Sequence, residues 1–228
     1  YAMTAEISGL SDVHKLDRYD TLLLDMDGTL LDLAFDNYFW RELVPRVYAR
    51  RRSITQQAAM QVIYDLYAGR EGTLDWYCLD YWTEQLQLDL NALKTASSQR
   101  IRFLPGAREF LLLAQRSGKR VVLVTNAHPQ TLAIKKDVTG LHFWIDELVS
   151  SHDVGMPKEQ QAFWHALEQQ LRFDPATTLF IDDSLPVVQA AADYGLGGVI
   201  AVRRPDTRQA ACDVLAHPAI DGVHHWVE

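Results

Sequence analysis

The sequence predicts an α/β fold in which a doubly wound parallel sheet carries an inserted, all-helical cap. Continuous apolar runs at 21–24, 121–124 and 178–181 each end in polar residues, as expected of strands buried on both faces of a sheet. From about residue 104 onward such runs alternate with helical patterns, which is typical of βα units with helices on both sides of the sheet.

The stretch 35–100 interrupts this alternation and predicts the cap. Its apolar residues recur at helical spacing, beginning with every fourth residue from Phe39 to Val47. Thr73 and Asp89 are the expected N-caps of two further helices. Because a connection this long is rarely structureless inside a compact domain, we assign it to a helical cap domain.

The remaining residues, 1–34 and 101–228, are expected to form the α/β core domain around a first strand at 19–25. The segment after Pro205 is predicted to be helix and coil that completes the fold. Between these ends the expected elements, in chain order, are helix 105–116, strand 121–126, helix 129–138, strand 147–151, helix 158–171, strand 178–183, helix 185–194 and strand 198–202.

The acidic composition of the chain disfavours two classes of binding partner. The chain of 228 residues has a formal net charge of −8, which disfavours binding to nucleic acid or to an anionic membrane surface. No apolar run approaches the ~18 residues of a membrane span, and no signal peptide pattern opens the sequence, so we expect a cytoplasmic protein. Cys78 and Cys212 lack metal-type spacing and are expected to be small buried hydrophobes. Oligomeric state is left open between a monomer and a weak dimer.

Polar residues follow the apolar runs at the points where the predicted strands end. Ligands bind outside the carboxyl ends of the strands in an open parallel sheet, so these residues are expected to converge on one rim. Clustered carboxylates repel one another unless a cation neutralises them, and Mg²⁺ prefers oxygen ligands and a substrate phosphate. The residues of this predicted phosphoryl-transfer site are Asp25, Asp27, Thr125, Asn126, Lys158, Asp182 and Asp183.

The two acids after the first strand suit two different roles. One carboxylate would attack phosphorus and form an aspartyl-phosphate, while the other would protonate the leaving oxygen and later deprotonate a water. Gly28 would allow the chain to turn sharply after the second acid.

The stretches DMDGTL at 25–30, LVTN at 123–126, PK at 157–158 and FIDDS at 180–184 resemble, in this order, the four motifs of the haloacid dehalogenase-like (HAD) phosphohydrolase superfamily. The stretch 35–100 is similar to the C1-type helical cap of that superfamily. The resemblance implies that Asp25 is the nucleophile and Asp27 the acid/base.

The resemblance also implies a set of ligands. Mg²⁺ would be held by Asp25, the backbone carbonyl of Asp27 and Asp183, with Asp182 ligating it or supporting the site. Phosphate binding is assigned to Gly28, Thr125, Asn126 and Lys158. Many relatives place another acid a few residues after the fourth motif, whereas apolar residues and a proline follow Ser184 here.

A narrower resemblance concerns the substrate. The stretches DMDGTLLDLAFDNYFW, LDWYCLDYW, TNAHP and LFIDDS are similar to those of bacterial GMP/IMP nucleotidases in this superfamily, which implies a purine 5′-monophosphate. Candidate specificity residues are Asn37, Trp76, Tyr77, Tyr81 and His128. The alternative for the aromatic residues is a role in the cap core, and for His128 a solvent-facing position before a helix.

Other functions stay open at this point. A sugar-phosphate phosphatase or a phosphomutase would retain the same acids. A phosphate-binding protein without turnover would be expected to show a broken motif, and the four stretches are intact. Dehalogenases and phosphonatases of the superfamily lack an acid at the position of Asp27.

Overall fold

The computed structural model describes residues 12–227, so the ends of the predicted core, 1–11 and 228, lie outside the described residues. A single parallel sheet of six strands organises the described part, with the strand order β3-β2-β1-β4-β5-β6. The strands are β1 (Thr21–Leu24), β2 (Arg120–Thr125), β3 (Glu147–Ser150), β4 (Thr178–Asp182), β5 (Gly198–Val202) and β6 (Ala219–Ile220).

The predicted fold class is confirmed, because the sheet is doubly wound and buried on both faces. Alternate side chains of β1 enter different cores: Leu22 and Leu24 pack into one apolar cluster and Leu23 into the other. The helices that cover the sheet are α7 (Ala107–Arg116), α8 (Pro129–Thr139), α9 (Ser151–Val154), α10 (Gln161–Leu171) and α11 (Leu185–Tyr194).

The register centres the sheet on β1. Leu24 lies opposite Leu123 of β2 on one side and Ile181 of β4 on the other. The three strands therefore end within two residues of one another, and the polar residues at their carboxyl ends meet at one rim.

A run of helices lies between β1 and β2, and we refer to residues 34–96 as the insert. Helix α1 (Ala34–Tyr38) continues through a π-helical turn (Phe39–Leu43) into α2 (Val44–Arg52), which has Pro45 in its first turn. The later helices are α3 (Gln56–Tyr67), α4 (Leu74–Tyr77), α5 (Leu79–Leu86) and α6 (Leu90–Ala96).

The insert has its own apolar cluster, built around Phe39, Ile63 and Trp82. Both predicted N-caps are present: the Thr73 hydroxyl accepts a hydrogen bond from Trp76 N–H, and Asp89 accepts one from Ala92 N–H. A division into a core domain and a cap domain at residues 35 and 100 stays a prediction.

The segment after Pro205 differs from its prediction. It adds β6, which pairs in parallel with β5 through Ala201 opposite Ala219, and it contains no α-helix among the described residues. A strand of two residues is too short for a periodic pattern, so pairing with an existing sheet edge determines it. No helix in the part of the chain that the structure describes is long and apolar enough to cross a membrane.

Candidate active site

A cleft of about 960 Å³ lies between the carboxyl ends of the strands and the insert. All the predicted rim residues line it: Asp25, Asp27, Thr125, Asn126, Lys158, Asp182 and Asp183. The core supplies the charged floor and the insert supplies much of the opposite wall.

The centre of the floor is a group of charges that we call the Asp25 cluster, made of Asp25, Lys158, Asp182 and Asp183. Lys158 Nζ lies 2.6 Å from Asp25 Oδ1, 2.6 Å from Asp182 Oδ2 and 3.0 Å from the carbonyl oxygen of Val124. Asp182 also accepts a hydrogen bond from Ser184 N–H, at 2.8 Å. The Lys158 ammonium therefore joins the two acids across the ends of β1 and β4.

Asp183 completes the cluster from the cleft side. One carboxylate oxygen from each of Asp25, Asp182 and Asp183 lies within 4.8 Å of the others. Gly28 makes room for this carboxylate: its φ is +91°, and a Cβ on it would lie 2.5 Å from Asp183 Cγ. Its N–H donates to the carbonyl oxygen of Leu31 at 2.7 Å, and its predicted phosphate contact stays a prediction.

The charges of the Asp25 cluster are unbalanced. Burial raises the pKa of Asp25 to about 7, against the opposing effect of Lys158. Burial and the charges of Asp182 and Asp25 raise the pKa of Asp183 well above its usual range. The three carboxylates bring one oxygen each within 4.8 Å of the others, and only one ammonium group offsets their charge, so the cluster fits a hard divalent cation such as Mg²⁺.

Asp27 belongs to a second group of charges, which we call the Asp27 chain: Asp27, Lys135, Asp36 and Lys94. Lys135 Nζ lies 2.5 Å from Asp27 Oδ1 and 2.5 Å from Asp36 Oδ2. Lys94 Nζ lies 3.1 Å from Asp36 Oδ1 and 4.7 Å from the ring centroid of Phe39. Carboxylate and ammonium groups therefore alternate from Asp27, which follows β1, to Lys94 in α6 of the insert.

The charges of the Asp27 chain shift two pKa values in opposite directions. Burial, with the charges of Asp36 and Asp25, outweighs Lys135 and raises the pKa of Asp27 to about 6. Burial would also raise the pKa of Asp36, but the ammonium groups of Lys135 and Lys94 outweigh it and hold that pKa at about 2. The chain therefore keeps Asp36 ionised and Asp27 poised near neutrality.

Thr125 and Asn126, at the end of β2, make hydrogen bonds within the protein that the sequence did not indicate. The Thr125 hydroxyl accepts a hydrogen bond from Ala127 N–H at 3.0 Å. The Asn126 side chain accepts from Lys158 N–H at 3.0 Å and donates to Glu159 Oε2 at 3.0 Å. Asn126 thus fixes the segment that presents Lys158, a positioning contact that the sequence did not predict.

The candidate specificity residues are divided by the structure. Asn37, Trp76, Tyr77 and His128 line the cleft, whereas Tyr81 is not among the cleft residues in the described part of the chain and packs on Trp82 at 4.9 Å between ring centroids. Tyr81 therefore matches the alternative role in the insert core.

Each of the four residues that line the cleft also contacts another side chain of the protein. Asn37 donates to Asp206 at 2.8 Å, and Tyr77 donates its hydroxyl to Glu159. Trp76 packs edge-on against Tyr67, with ring centroids 5.2 Å apart. His128 is the N-cap of α8, and its Nε2 lies 3.5 Å from Asp80 Oδ2.

Sequence reasoning missed Lys94, Lys135, Asp36 and Glu159, which connect the predicted residues to one another. Lys135 and Lys94 look like ordinary helix-surface lysines in the sequence, yet only 1% and 3% of their side chains is exposed. Asp36, the third residue of the insert, offered a weak signal as an acid close to the first motif.

Similar proteins are found over most of the chain. It is 45% identical over 202 residues to the GMP/IMP nucleotidase YrfG of Escherichia coli (strain K12), covering 89% of this chain and 91% of that protein. The same identity and coverage hold for the GMP/IMP nucleotidase YrfG of Shigella flexneri.

Solved structures agree on the fold. A HAD phosphatase from Thermococcus onnurineus superposes with a TM-score of 0.75 at 20% identity, over 91% of this chain and 95% of that one. The HAD-hydrolase YfnB from Bacillus subtilis, solved bound to magnesium, gives a TM-score of 0.65 at 20% identity, over 92% and 99%. At these identities the similarity shows the fold alone.

The family model described as haloacid dehalogenase-like hydrolase matches residues 19–195, which include β1, β2, β4 and every residue of the Asp25 cluster. The match, together with the relatives above, confirms the predicted family and the prediction that the chain is a hydrolytic enzyme. The chain belongs to the haloacid dehalogenase-like hydrolase family.

Proposed function

We propose that this enzyme is a Mg²⁺-dependent phosphate monoester hydrolase that works through an aspartyl-phosphate on Asp25 and acts on purine nucleoside 5′-monophosphates. The observation that supports it most is the position of Asp25: buried at the floor of the cleft, between the Lys158 ammonium and the Asp183 carboxylate. The proposed substrate is a small phosphate monoester bound at the floor of the cleft, and the proposed reaction needs neither a nucleic acid nor a membrane as a partner.

Asp25 is the proposed nucleophile. Its carboxylate attacks phosphorus, forming a bond from oxygen to phosphorus while the bond to the leaving oxygen breaks. Lys158 holds Asp25 Oδ1 at 2.6 Å and so restricts rotation of the carboxylate before attack. The same ammonium group would stabilise the negative charge that develops on the phosphoryl oxygens.

Asp27 is the proposed acid and base. Its proton passes to the leaving oxygen in the first step, and in the second step Asp27 accepts a proton from the water that attacks the aspartyl-phosphate. A pKa near 6 suits a group that must give up and regain a proton at neutral pH. Lys135, at 2.5 Å from Asp27 Oδ1, fixes the direction of this carboxylate.

The acids of the floor fit Mg²⁺. Asp25, Asp183 and the backbone carbonyl of Asp27 would hold the ion, while Asp182 is already paired with Lys158 and Ser184 and would support the site. When bound, Mg²⁺ supplies positive charge that lowers the pKa of Asp25 and neutralises the substrate phosphate.

The walls of the cleft fit a purine nucleotide. Trp40, Tyr64 and Trp76 of the insert line it, and a base stacked on an aromatic ring gains ~1–3 kcal/mol. Arg41 lines the same wall. Guanine and hypoxanthine present acceptors at O6 and N7, whereas adenine carries an amino donor at position 6, so a guanidinium favours the first two bases.

The test is a kinetic panel with and without Mg²⁺, measuring release of inorganic phosphate from GMP, IMP, AMP and small sugar phosphates. We expect kcat/KM to be highest for GMP and IMP and to vanish when EDTA removes the metal. Equal or faster hydrolysis of sugar phosphates would contradict the nucleotide assignment. An isomerised product without free phosphate would indicate a mutase, and binding without turnover would indicate a phosphate-binding protein.

A pair of variants tests the base contact. Arg41→Met is expected to lower the ratio of GMP to AMP hydrolysis by about 10-fold, because one good contact between Arg and the base is worth ~1–3 kcal/mol. Arg46→Met is the matched control, since Arg46 donates to the Tyr38 hydroxyl and is not among the described cleft residues. An unchanged ratio in Arg41→Met would remove Arg41 from base recognition.

A further inference from the structure

Cys78, His128 and His152 meet where the insert contacts the core, next to the cleft. Cys78 lies in the turn between α4 and α5, His128 is the N-cap of α8, and His152 lies in α9. One donor atom from each residue, a thiol sulfur and two ring nitrogens, lies within 4.8 Å of the other two. The three are separated by 50 and 24 positions in the sequence, so no local motif reveals the group.

Packing and hydrogen bonding leave this group incompletely satisfied. His152 Nε2 is buried and has no hydrogen-bond partner among the described residues. The rings of His128 and His152 stand nearly perpendicular, at 84°, with centroids 5.0 Å apart. A buried polar nitrogen without a partner is costly unless a group outside the chain satisfies it.

We propose that Cys78, His128 and His152 form a binding site for a divalent transition-metal ion of the zinc class, distinct from the magnesium site at the Asp25 cluster. Thiolate and imidazole are preferred ligands of Zn²⁺, whereas Mg²⁺ prefers oxygen. On binding, the Cys78 S–H bond breaks, a sulfur–metal bond forms, and the proton passes to solvent.

The surroundings match those of known metal sites. The Cys78 sulfur accepts a hydrogen bond from Tyr81 N–H at 3.4 Å, which stabilises a thiolate. Ser150 Oγ lies 3.5 Å from His152 Nδ1, where it can orient the ring. Asp80 Oδ2 lies 3.5 Å from His128 Nε2 and, with 67% of its side chain exposed, can turn to become a fourth ligand.

The distances require only a small contraction. Tetrahedral bonds of ~2.0–2.3 Å place ligand atoms roughly 3.5 Å apart, so donors that lie within 4.8 Å of one another need to approach by no more than roughly 1.3 Å. Asp80 and Cys78 belong to the insert, while His128 and His152 belong to the core. An ion bound to them would therefore tie the insert to the core beside the cleft that His128 lines.

This bridging position predicts regulation, a consequence that rests on the proposed function. If substrate entry and product release need the insert to separate from the core, an ion that ties the two together slows turnover. We expect micromolar Zn²⁺ to inhibit phosphate release in the presence of saturating Mg²⁺.

The binding test uses Co²⁺ alone as the probe, because a thiolate ligand gives a charge-transfer band in the near ultraviolet. Titration of the full chain in saturating Mg²⁺ is expected to produce this band with one Co²⁺ per chain. The band should disappear in Cys78→Ser. The His152→Gln variant should bind Co²⁺ at least 10-fold more weakly than the unaltered protein. It should persist in Cys212→Ser, whose cysteine is exposed and lies outside the site.

Absence of the band in the unaltered protein, or its persistence in Cys78→Ser, would overturn the site whatever the enzyme hydrolyses. His152→Gln keeps the cysteine, so it answers the question if Cys78→Ser does not fold. In the activity arm, Zn²⁺ is expected to inhibit the unaltered enzyme and Cys212→Ser but not Cys78→Ser. Equal inhibition of all three would place the inhibitory ion at the Asp25 cluster and contradict the bridging role.

Discussion

Two groups of buried charge lie in the same cleft, and they differ in balance. The Asp25 cluster has three carboxylates and one ammonium group, that of Lys158, which pairs with Asp25 and Asp182 but not with Asp183. In the Asp27 chain two carboxylates alternate with two ammonium groups, those of Lys135 and Lys94. The first group has more carboxylates than ammonium groups, and burial with neighbouring carboxylates raises the pKa values of Asp25 and Asp183, whereas the second group has equal numbers of the two.

This difference separates two tasks. A site that receives a cation and a phosphate must be unbalanced when empty, because a fully paired site would gain little from either ligand. A site that moves one proton needs a fixed direction and a pKa near the working pH, and neighbouring charges of the chain supply both. Variants in either group test this difference in charge balance.

The largest effect is expected from the proposed nucleophile. Asp25→Asn removes the carboxylate that would attack phosphorus and is expected to lower kcat/KM by ~10⁴-fold or more. The loss is measured as the rate of phosphate release from GMP. Asp146→Asn is the control, because Asp146 accepts a hydrogen bond from Val121 N–H near the start of β2, away from the cleft. Activity within 10-fold of the unaltered enzyme would remove Asp25 from the nucleophile's role.

The acid/base variant is expected to have an effect that depends on the leaving group. Asp27→Asn should lower kcat/KM for GMP by ~10²–10⁴-fold, because the leaving alkoxide then receives no proton. For an aryl phosphate, whose phenolate leaves without a proton, burst kinetics should show much less loss in the first step. Equal losses for both substrates would show that Asp27 is not the acid.

Removing the ammonium group of Lys135 tests the charge balance of the Asp27 chain. Lys135→Met leaves the partly buried carboxylates of Asp27 and Asp36 without their shared partner, and breaking such a group costs about 3–5 kcal/mol in the free energy of unfolding. Urea unfolding measures this, and Lys136→Met, next in sequence and outside the chain of charges, is the control. A loss below ~1 kcal/mol would show that the lysine contributes little.

Replacing a charged residue of the Asp25 cluster is expected to change stability in the opposite direction, as a gain. Because the pKa of Asp183 is raised above its unfolded value, the ionised carboxylate destabilises the fold at neutral pH when no cation is bound. Asp183→Asn should therefore raise the melting temperature without metal while it abolishes activity.

Mg²⁺ gives the matching measurement. At 100 times its dissociation constant it should stabilise the unaltered protein by about 2.7 kcal/mol. The variant should show no such gain. A Mg²⁺-dependent rise in melting temperature in Asp183→Asn would place the cation elsewhere.

The smallest effect concerns acid stability. The pKa of Asp36 falls from its ordinary value of 3.8 to about 2 in the folded protein, so its ionised form stabilises the fold above about pH 4. This contribution is lost as pH falls toward about 2. The stability difference between the unaltered protein and Asp36→Asn, from urea unfolding, should shrink over that range. Asp65→Asn, at an exposed acid of the insert, is the matched control.

The strands and the chemistry at their ends could be predicted from the sequence because their signals are local. An apolar run followed at once by acids is contiguous in the chain, and parallel pairing brings the ends of such runs together. Asp25, Thr125 and Asp182 therefore lie on one rim as expected. The caps Thr73 and Asp89 were predictable for the same reason.

Tertiary structure alone decided which charges and ligands pair across long separations. Lys135 lies 108 positions from Asp27, and nothing near it in the sequence distinguishes it from a solvated lysine. The same holds for Lys94, for the role of Asn126 beneath Lys158, and for His152 beside Cys78. The physical reason is that local patterns encode which face of a helix or strand is apolar, whereas packing of the insert against the core determines which polar atoms lose water together and must then satisfy one another.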